Sequence, residues 1–374
     1  MIVFMKLLIL IFLALFLAEN RAMACTSAVV APQRSSEGVP LLWKHRDYKY
    51  NATCVKHFEG GKYSYTAIAS NKEGNNTLYA GINDTGFGII NTATKNLPAS
   101  TIEEHKACTR KEISWSAMWH HALRDCATVD EFEELLRKTK RRHKFGTNYA
   151  VADATGAVAY FEVGDLYYHR YDATDRKEGF DVRSNYSLAG IEEKRGTSTR
   201  RYDIIMKEML AHEGKFTPQQ FYTYSRSYNS CAYGDILAND DKYICSNHAV
   251  PRASTTGVFV LVCDAVSPRM LVTIGHSVSG MAVPIYVQAK HHIPACVKGN
   301  RMSLLSDDFL AKSYLKEGGT RVLQKEVVRE VLKIKQPDIE LPQQMPVNIK
   351  VFNAKIDKQF LKYEKRVRKI LAKY

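Results

Sequence analysis

The chain has 374 residues, of which 45% are hydrophobic and 25% charged, a composition that is ordinary for a globular protein with a large core. The formal net charge is +14, and the segment 297–374 holds about 18 Lys and Arg residues against about 9 Asp and Glu residues. Because the excess charge lies mainly in this tail, it argues against a nucleic-acid-binding core. It predicts a solvated basic surface, with a specific anionic partner as the alternative.

Hydrophobic patterning predicts two blocks of strands, each followed by helices. The predicted strands are at 26–31, 40–45, 63–70, 78–82, 86–93, 149–152, 158–163, 257–263, 270–274 and 283–288. The predicted helices are at 115–122, 128–136, 201–210 and 218–227, and the basic tail is helical from about residue 302, with an amphipathic segment at 356–371. This order predicts an α+β layered fold with antiparallel sheets rather than alternating βαβ units.

The N-terminus carries the features of a secretory signal. Lys6 precedes an apolar run at 7–18, and the small-x-small cleavage pattern at 22–24 stands immediately before Cys25. We therefore predict a signal peptide at 1–24 and an exported protein, periplasmic or extracellular. The run is shorter than the roughly 20 apolar residues of a membrane anchor, so an uncleaved anchor is the weaker alternative.

A lipoprotein is the other alternative for this N-terminus. Lipidation of the Cys25 sulfur would remove it as a nucleophile. Signals of that class usually carry leucine three places before the cysteine, whereas this chain has Ala22. Cleavage without lipidation is therefore the preferred interpretation.

Cleavage after Ala24 would make Cys25 the first residue of the mature chain. Its thiol would then lie beside a free α-amine, whose reference pKa of about 7.7–8.0 lets it take up a proton near neutral pH. A nucleophile with its own base is the minimal apparatus for acyl transfer. Cys25 is therefore the candidate catalytic residue.

The other seven cysteines do not define a disulfide framework. If Cys25 is a free thiol, their odd number leaves at least one more unpaired, although Cys231 and Cys245 flank a loop and could pair. The sequence contains no CxxC, HExxH or zinc-spaced Cys/His cluster, and no GxGxxG or phosphate-binding loop. We therefore expect no metal and no cofactor.

Several short motifs occur in an order that is typical of one enzyme group. They lie at 25–27 (CTS), 43–47 (WKHRD), 81–91 (GINDTGFGIIN), 146–153 (GTNYAVAD), 182–186 (VRSNY) and 198–202 (STRRY). With a processed N-terminal cysteine, they resemble the cysteine branch of the N-terminal nucleophile (Ntn) hydrolases. That branch includes choloylglycine hydrolases, penicillin acylases and acyl-CoA:6-aminopenicillanate acyltransferases.

This resemblance extends from Cys25 to about residue 290. It implies a four-layer αββα sandwich with antiparallel sheets and with the nucleophile at the end of a central strand. We therefore predict an Ntn-hydrolase domain at 25–300, followed by a basic helical C-terminal extension at 301–374.

The resemblance also implies a role for each matching position. Cys25 would be the nucleophile, with its own amine as the base. Arg46 would lie beside the sulfur and favour the thiolate, and Asp47 would hold the α-ammonium through a charge-assisted hydrogen bond. An ordinary ion pair at the end of a strand is the alternative for Arg46 and Asp47.

Three further positions match residues of the family pattern. Asn91 and Asn185 match positions that supply oxyanion-hole donors in relatives, with turn asparagines as the alternative. Arg201 matches the second arginine of the choloylglycine-hydrolase pattern, although the neighbouring Arg200 leaves its register open by one residue. A helix-surface arginine is the alternative for this position.

One departure from the family pattern bears on the substrate. Relatives in the choloylglycine branch typically have two residues between the arginine and the aspartate, whereas Arg46 and Asp47 are adjacent. This favours the penicillin-acyltransferase-like branch, or an uncharacterised exported branch, over a bile-salt hydrolase.

We predict an exported cysteine amidohydrolase that cleaves linear amides through a thioester on Cys25. We expect a small-molecule amide substrate, no nucleic-acid partner and no membrane span after cleavage. Acyl transfer to an amine and a lipid-anchored binding protein without activity are the alternatives. Whether the protein forms a homo-oligomer is left open.

Overall fold

The computed structural model describes residues 24–48, 53–191, 196–241, 246–317, 320–337 and 340–374. Residues 1–23 of the predicted signal peptide lie outside these ranges, as does Cys245, the cysteine that could pair with Cys231.

The strands, in chain order, are β1 (Ala24–Val30), β2 (Leu41–Asp47), β3 (Thr53–Phe58), β4 (Tyr65–Ser70), β5 (Leu78–Asn83), β6 (Gly88–Ala93), β7 (Lys111–Ile113), β8 (Thr139–Arg141), β9 (Thr147–Ala152), β10 (Val158–Val163), β11 (Tyr168–Asp172), β12 (Phe180–Arg183), β13 (Asn229–Ser230), β14 (Gly234–Asp235), β15 (Thr255–Val262), β16 (Arg269–Ile274), β17 (Val283–Tyr286), β18 (Tyr314–Glu317) and β19 (Thr320–Leu323). The helices are α1 (Ile102–Ala107), α2 (Trp115–Asp125), α3 (Val129–Lys138), α4 (Thr197–Leu210), α5 (Gln220–Arg226), α6 (Ala295–Lys298), α7 (Arg301–Ser313), α8 (Lys325–Leu332) and α9 (Ile349–Leu371).

Two antiparallel sheets form the centre of the molecule. The first sheet has the order β12-β1-β2-β15-β16-β17, and the second has the order β11-β10-β9-β6-β5-β4-β3. Neighbouring strands along the chain pair in most places, which is the arrangement that hairpin-linked antiparallel strands produce.

The side chains of these sheets sort into three apolar layers, because successive residues of a strand face opposite sides. Val29 and Ile90 lie in the core between the sheets. Helices α2 and α3 cover the outer face of the second sheet, with Trp119 in that core. Helices α4 and α5 cover the outer face of the first sheet, with Ile205 and Phe221. The result is the four-layer αββα sandwich that the resemblance implies.

Three strands that the sequence analysis missed are edge strands. Strands β3 and β11 are the two edges of the second sheet, and β12 is an edge of the first. Edge strands often carry charged residues that discourage pairing with another chain, and β11 (YHRYD) and β12 (FDVR) both do so. Charged edge strands give a weak hydrophobic pattern, which explains why they were not predicted.

The described part of the C-terminal extension packs into the same core as the sheets. Helix α6 packs against β3 and helix α7 against β16. Phe309, Phe360 and Val367 of the extension belong to one apolar cluster with Val272 and Ile285 of the first sheet. The extension is not entirely helical, since β18 and β19 pair as a small hairpin. Within the described ranges, no helix has both the length and the apolar character needed to cross a membrane.

Candidate active site

Cys25 lies near the N-terminal end of β1, opposite Arg46 of β2 in the antiparallel ladder. Strand alternation puts its side chain on the inner face of the first sheet, the face on which Val29 packs. Cys25 is 7% exposed. Its backbone nitrogen donates a hydrogen bond to Oδ1 of Asn185 at 2.6 Å. The predicted nucleophile therefore begins a strand in a buried, polar environment.

Asn185 follows β12, the strand that pairs with the other side of β1. Its Oδ1 accepts hydrogen bonds from the Cys25 nitrogen and, at 2.9 Å, from Nη2 of Arg201. Its Nδ2 donates to the carbonyl oxygen of Ala93 at 2.6 Å. Two donors on one oxygen determine the orientation of the side-chain amide. After cleavage before Cys25, the same oxygen would be an acceptor for the new α-amine.

Arg201, in helix α4, is fully buried and points at the first residues of β1. Its Nη1 donates to the carbonyl oxygen of Cys25 and, at 2.7 Å, to Oγ1 of Thr26. Burial and, to a smaller extent, the charge of Arg252 lower the pKa of Arg201 to about 9, against the opposing charges of Asp47 and Cys25. The neighbouring Arg200 instead contacts His248 at 2.9 Å. Of the two arginines, Arg201 is therefore the one that contacts Cys25, and its matching role in the family pattern stays a prediction.

Arg46 lies on the same face of the first sheet as Cys25 and is 3% exposed. Its Nη1 donates to Oγ1 of Thr256 at 2.5 Å. The guanidinium carbon lies 4.0 Å from the ring centroid of Tyr79 and 4.7 Å from that of Tyr48, so the charge is held between two aromatic faces. Burial lowers the pKa of Arg46, and the charges of Tyr79 and Cys25 oppose this shift.

Asp47 points to the opposite face of the sheet from Arg46, because the two residues are consecutive in β2. Its Oδ1 accepts a hydrogen bond from Oγ1 of Thr255 at 2.9 Å and lies 3.4 Å from Nε2 of His45. Its Oδ2 lies 3.4 Å from Nε of Arg252. Burial alone would raise the pKa of Asp47, but the hydrogen bond and charge of His45 and the charge of Arg252 hold it below its ordinary value.

The predicted role of Asp47 as the partner of the α-amine stays a prediction. The acceptor at the Cys25 nitrogen is Asn185, and no hydrogen bond between that nitrogen and Asp47 occurs among the described contacts. Adjacent strand residues cannot share a face, so Asp47 lies on the side of the sheet opposite to Arg46.

Lys44 is a site residue that sequence reasoning missed. It is 2% exposed, and its Nζ donates to the carbonyl oxygen of Tyr79 and to Oδ1 of Asn91, both at 2.7 Å. The pKa of Lys44 is lowered to about 7, mainly by burial; the charge of Cys25 opposes this shift and that of Arg46 contributes to it. The available signal was a lysine in the interior of the predicted strand 40–45, two residues before Arg46 and therefore on the same face.

Asn91 lies near the end of β6, where Lys44 fixes its orientation. Lysine can only donate hydrogen bonds, so the Asn91 oxygen must face Lys44 and its nitrogen must face away. Nδ2 of Asn91 donates to Oγ1 of Thr147 at 3.1 Å. The predicted role of Asn91 as an oxyanion donor stays a prediction, but the end of its side chain that faces away from Lys44 is the donor end.

The site has an excess of positive charge. Lys44, Arg46 and Arg201 are all buried, and Cys25 affects the pKa of each. Among the described residues, Asp47 is a carboxylate whose charge acts on Arg46 and Arg201, and it lies on the face of the sheet opposite to Lys44 and Arg46. Such an arrangement favours negative charge at the inner face beside Cys25, either a thiolate or an oxyanion.

Among the described residues, the cysteines and acidic side chains do not form a second candidate site. No group of three or more His, Cys, Asp or Glu side chains within the described ranges could hold a metal ion. Cys231 is a free, exposed thiol, and Cys245, with which it could pair, lies outside the described residues.

Comparisons with known proteins give distant similarities. No family model and no curated protein matches the chain. A mutant conjugated bile acid hydrolase from Clostridium perfringens is similar over 71% of this chain and 93% of its own, with 11% identity and a TM-score of 0.43. Penicillin V acylase from Agrobacterium tumefaciens is similar over 71% and 86%, with 12% identity and a TM-score of 0.44.

The Caenorhabditis elegans ortholog of N-acylethanolamine-hydrolyzing acid amidase is a third similar structure. It matches over 63% of this chain and 92% of its own, with 14% identity and a TM-score of 0.40. These neighbours are amide hydrolases of the group that the sequence resembles. The fold itself is assigned from the layers and the sheet order of this chain.

Proposed function

We propose that this chain is a cysteine amidohydrolase, in which Cys25 attacks the carbonyl carbon of a linear amide after removal of residues 1–24. The observation that carries the proposal is the convergence of Asn185 and Arg201 on the main chain of Cys25, beside the buried cations Lys44 and Arg46. Buried polar groups gathered around a nucleophile are typical of sites that stabilise developing negative charge.

In the proposed reaction the α-amine of Cys25 takes the thiol proton, directly or through a water, and the sulfur forms a bond to the amide carbon. The electron pair of the carbonyl group moves to its oxygen. Collapse of this tetrahedral intermediate breaks the C–N bond, and the α-ammonium gives its proton to the leaving amine. The acyl group remains on the sulfur as a thioester.

Water then cleaves the thioester. The α-amine takes a proton from the attacking water, the hydroxyl adds to the acyl carbon, and the C–S bond breaks. The acid leaves, and the proton returns to the sulfur. The reaction needs no electron transfer and no group beyond the chain, the amide and water.

The proposed oxyanion donors are the side chains of Asn91 and Asn185. Each carboxamide has two N–H donors, and the bonds to Thr147 and to the carbonyl oxygen of Ala93 use one of each. The remaining N–H of each group is the proposed donor to the developing oxyanion. The buried cations would add to this stabilisation, which is typically worth 10²–10³ in rate for each donor.

We also propose that the enzyme is exported and acts in the periplasm or outside the cell on a small-molecule amide. The support is the signal pattern at 1–24, which ends immediately before the candidate nucleophile. Cleavage at this position would both release the protein and create the α-amine that the mechanism uses.

The first test is the intact mass of the exported protein, with and without iodoacetamide. We expect a chain that begins at unmodified Cys25, and one iodoacetamide label fewer in Cys25→Ala than in the wild type. The matched control is Cys231→Ala, which removes an exposed thiol outside the site. A retained signal or a diacylglycerol on Cys25 would contradict the proposal.

The second test is an assay of the cleaved protein against a panel of linear amides. We expect release of the free acid by the wild type and by Cys231→Ala, and none by Cys25→Ala. Transfer of the acyl group to an added amine in place of water would identify an acyltransferase. A wild-type rate equal to that of Cys25→Ala on every amide would count against the reaction.

A further inference from the structure

Helix α9 has an exposed face composed almost entirely of cations. We call this set the basic face; its members are Lys355, Lys358, Lys362, Lys365, Arg366 and Lys369. At 3.6 residues per turn these positions share an arc of about 100°, and they extend over about 21 Å of the helix. Ile356, Phe360 and Val367 on the opposite side are buried in the core, so packing holds the basic face towards solvent.

The acidic residues of α9 do not neutralise this face. Asp357 accepts hydrogen bonds from the backbone nitrogens of Ala295 and Cys296, at the start of α6. Glu364 is 5% exposed and pairs with Arg301 and Arg368. None of the six cations of the basic face forms an ion pair with a carboxylate of the described residues. Their charge is therefore available to an external anion.

A shallow groove adjoins the middle of the basic face. It has a volume of about 310 Å³ and lies between α9 and the segment 335–337. Lys362 and Arg366 contribute cations to its lining, and no described carboxylate lines it. Gln336 anchors the wall opposite α9 by donating hydrogen bonds to the carbonyl oxygen of Gly280 and to Oη of Tyr363. The groove is therefore a fixed concave feature that suits a phosphate group.

We propose that the basic face is a docking surface for an anionic phospholipid bilayer, with a lipid phosphate in the groove between α9 and residues 335–337. This proposal is independent of the chemistry at Cys25, which lies in a different part of the fold. It concerns attachment to the membrane surface, since no described helix could span a bilayer.

The composition of the face favours a bilayer over a nucleic acid. Five of its six cations are lysines, and lysine is a strongly hydrated point charge that suits diffuse attraction to lipid head groups. Arginine, the preferred side chain for bidentate contacts to nucleic-acid phosphates, occurs once. Leu361 and Val351, at the margin of the face, are 36% and 64% exposed, and apolar side chains in this position can enter the head-group region.

The test is co-sedimentation of the exported, cleaved protein with vesicles of phosphatidylcholine alone or with about 30% phosphatidylserine. We expect binding only to the anionic vesicles, and release at high salt, because surface charges are screened within a Debye length. Each lysine near such a surface strengthens binding about five-fold, so Lys358→Gln/Lys362→Gln/Lys365→Gln is expected to weaken it at least ten-fold.

The matched control is Lys177→Gln/Lys207→Gln/Lys215→Gln, which removes the same charge from exposed positions outside α9. We expect this variant to bind like the wild type. Equal binding by the wild type and the α9 variant, equal binding to both kinds of vesicle, or tighter binding to duplex DNA than to anionic vesicles at the same salt would overturn the proposal. Thermal unfolding of both variants establishes that they are folded.

Discussion

Lys44 brings its ammonium group into the interior with only neutral oxygens, those of Tyr79 and Asn91, as hydrogen-bond partners. A buried charge that lacks a carboxylate partner is costly, and the low pKa of about 7 for this lysine expresses that cost. Such a residue weakens the fold. Its position beside Cys25 and Arg46 gives a reason for keeping it, because it favours negative charge at the sulfur.

Replacing Lys44 by methionine is expected to separate stability from function. Methionine fills a similar volume without a charge, so we expect the free energy of unfolding at neutral pH to rise by about 1–4 kcal/mol. We expect amide hydrolysis and iodoacetamide labelling of Cys25 to slow by about ten-fold or more, since a nearby cation is lost. Urea unfolding and labelling rates measure the two effects, with Lys44→Arg as the variant that keeps the charge. A methionine variant with wild-type labelling would contradict the role.

The pH dependence of this effect has a definite sign. Lys44 has a pKa of about 7 in the folded protein, against 10.5 as its ordinary value. Between these values the unfolded chain binds more protons, so this group makes the free energy of unfolding increase with pH. The stabilisation by Lys44→Met should therefore be largest below roughly pH 7 and should fade towards pH 10. Urea unfolding across this range measures the change, and a difference independent of pH would exclude this cause.

Arg201 and Arg200 provide a matched pair for testing the site. Arg201 contacts the Cys25 carbonyl, the Thr26 hydroxyl and Asn185, whereas Arg200 reaches His248. We expect Arg201→Met to lower kcat by about 100-fold or more, because the first residues of β1 lose their anchor. Arg200→Met is expected to retain activity within a few-fold. Equal losses in the two variants would count against Arg201 as the arginine of the site.

At the scale of elements, the approach of the two sheets depends on a residue without a side chain. Gly88 begins β6, and a Cβ placed there would lie 2.8 Å from Sγ of Cys263 and 3.3 Å from Cδ1 of Leu42. Both of these atoms belong to the facing layer. The glycine in this motif therefore permits the close packing that brings β6, with Asn91 near its end, against the strand that carries Lys44.

Gly88→Val is expected to destabilise the protein by about 1–3 kcal/mol, as other overpacked cores are destabilised. The measurement is urea unfolding. Gly299→Val is the control, because a Cβ at that position would meet only the carbonyl oxygen of Ala295, at 3.8 Å. A Gly88 variant as stable as the control would mean that the sheets separate more easily than this packing indicates.

Strand β2 shows how an element decides the environment of its residues. Lys44 and Arg46 face the second sheet, while His45 and Asp47 face the helices that cover the first. The alternation itself could be predicted from the sequence. Which face would meet Cys25 could not, because it depends on the pairing of β2 with β1 and β15.

At the scale of the whole molecule, the extension completes the core. Phe309, Phe360 and Val367 cover apolar residues on the inner side of β16 and β17, including Val272 and Ile285. Without the extension, this surface would meet water. The boundary that we predicted near residue 300 therefore marks a change in charge and pattern, while the packing continues across it.

A chain that ends after Gly299 is expected to be insoluble or to aggregate, because it exposes a large apolar surface. A chain that lacks only residues 373–374 is expected to behave like the wild type, since Leu371 and the rest of the buried side of α9 remain. Soluble yield and size-exclusion chromatography compare the two. A soluble, monomeric chain ending after Gly299 would mean that the extension packs as a separate unit.

Local chemistry was sufficient to predict most central strands, the outer helices and the layered α+β class, because each follows from the period of its apolar residues. It also singled out Cys25 as the candidate nucleophile, and the family resemblance supplied the roles of Arg46 and Arg201, which stay predictions. The tertiary structure alone decided that Asn185 meets the nitrogen of Cys25, across 160 residues of sequence, and that Lys44 is buried beside it. Which distant residues meet in this way depends on how the strands and sheets pack. The local sequence pattern does not contain that information.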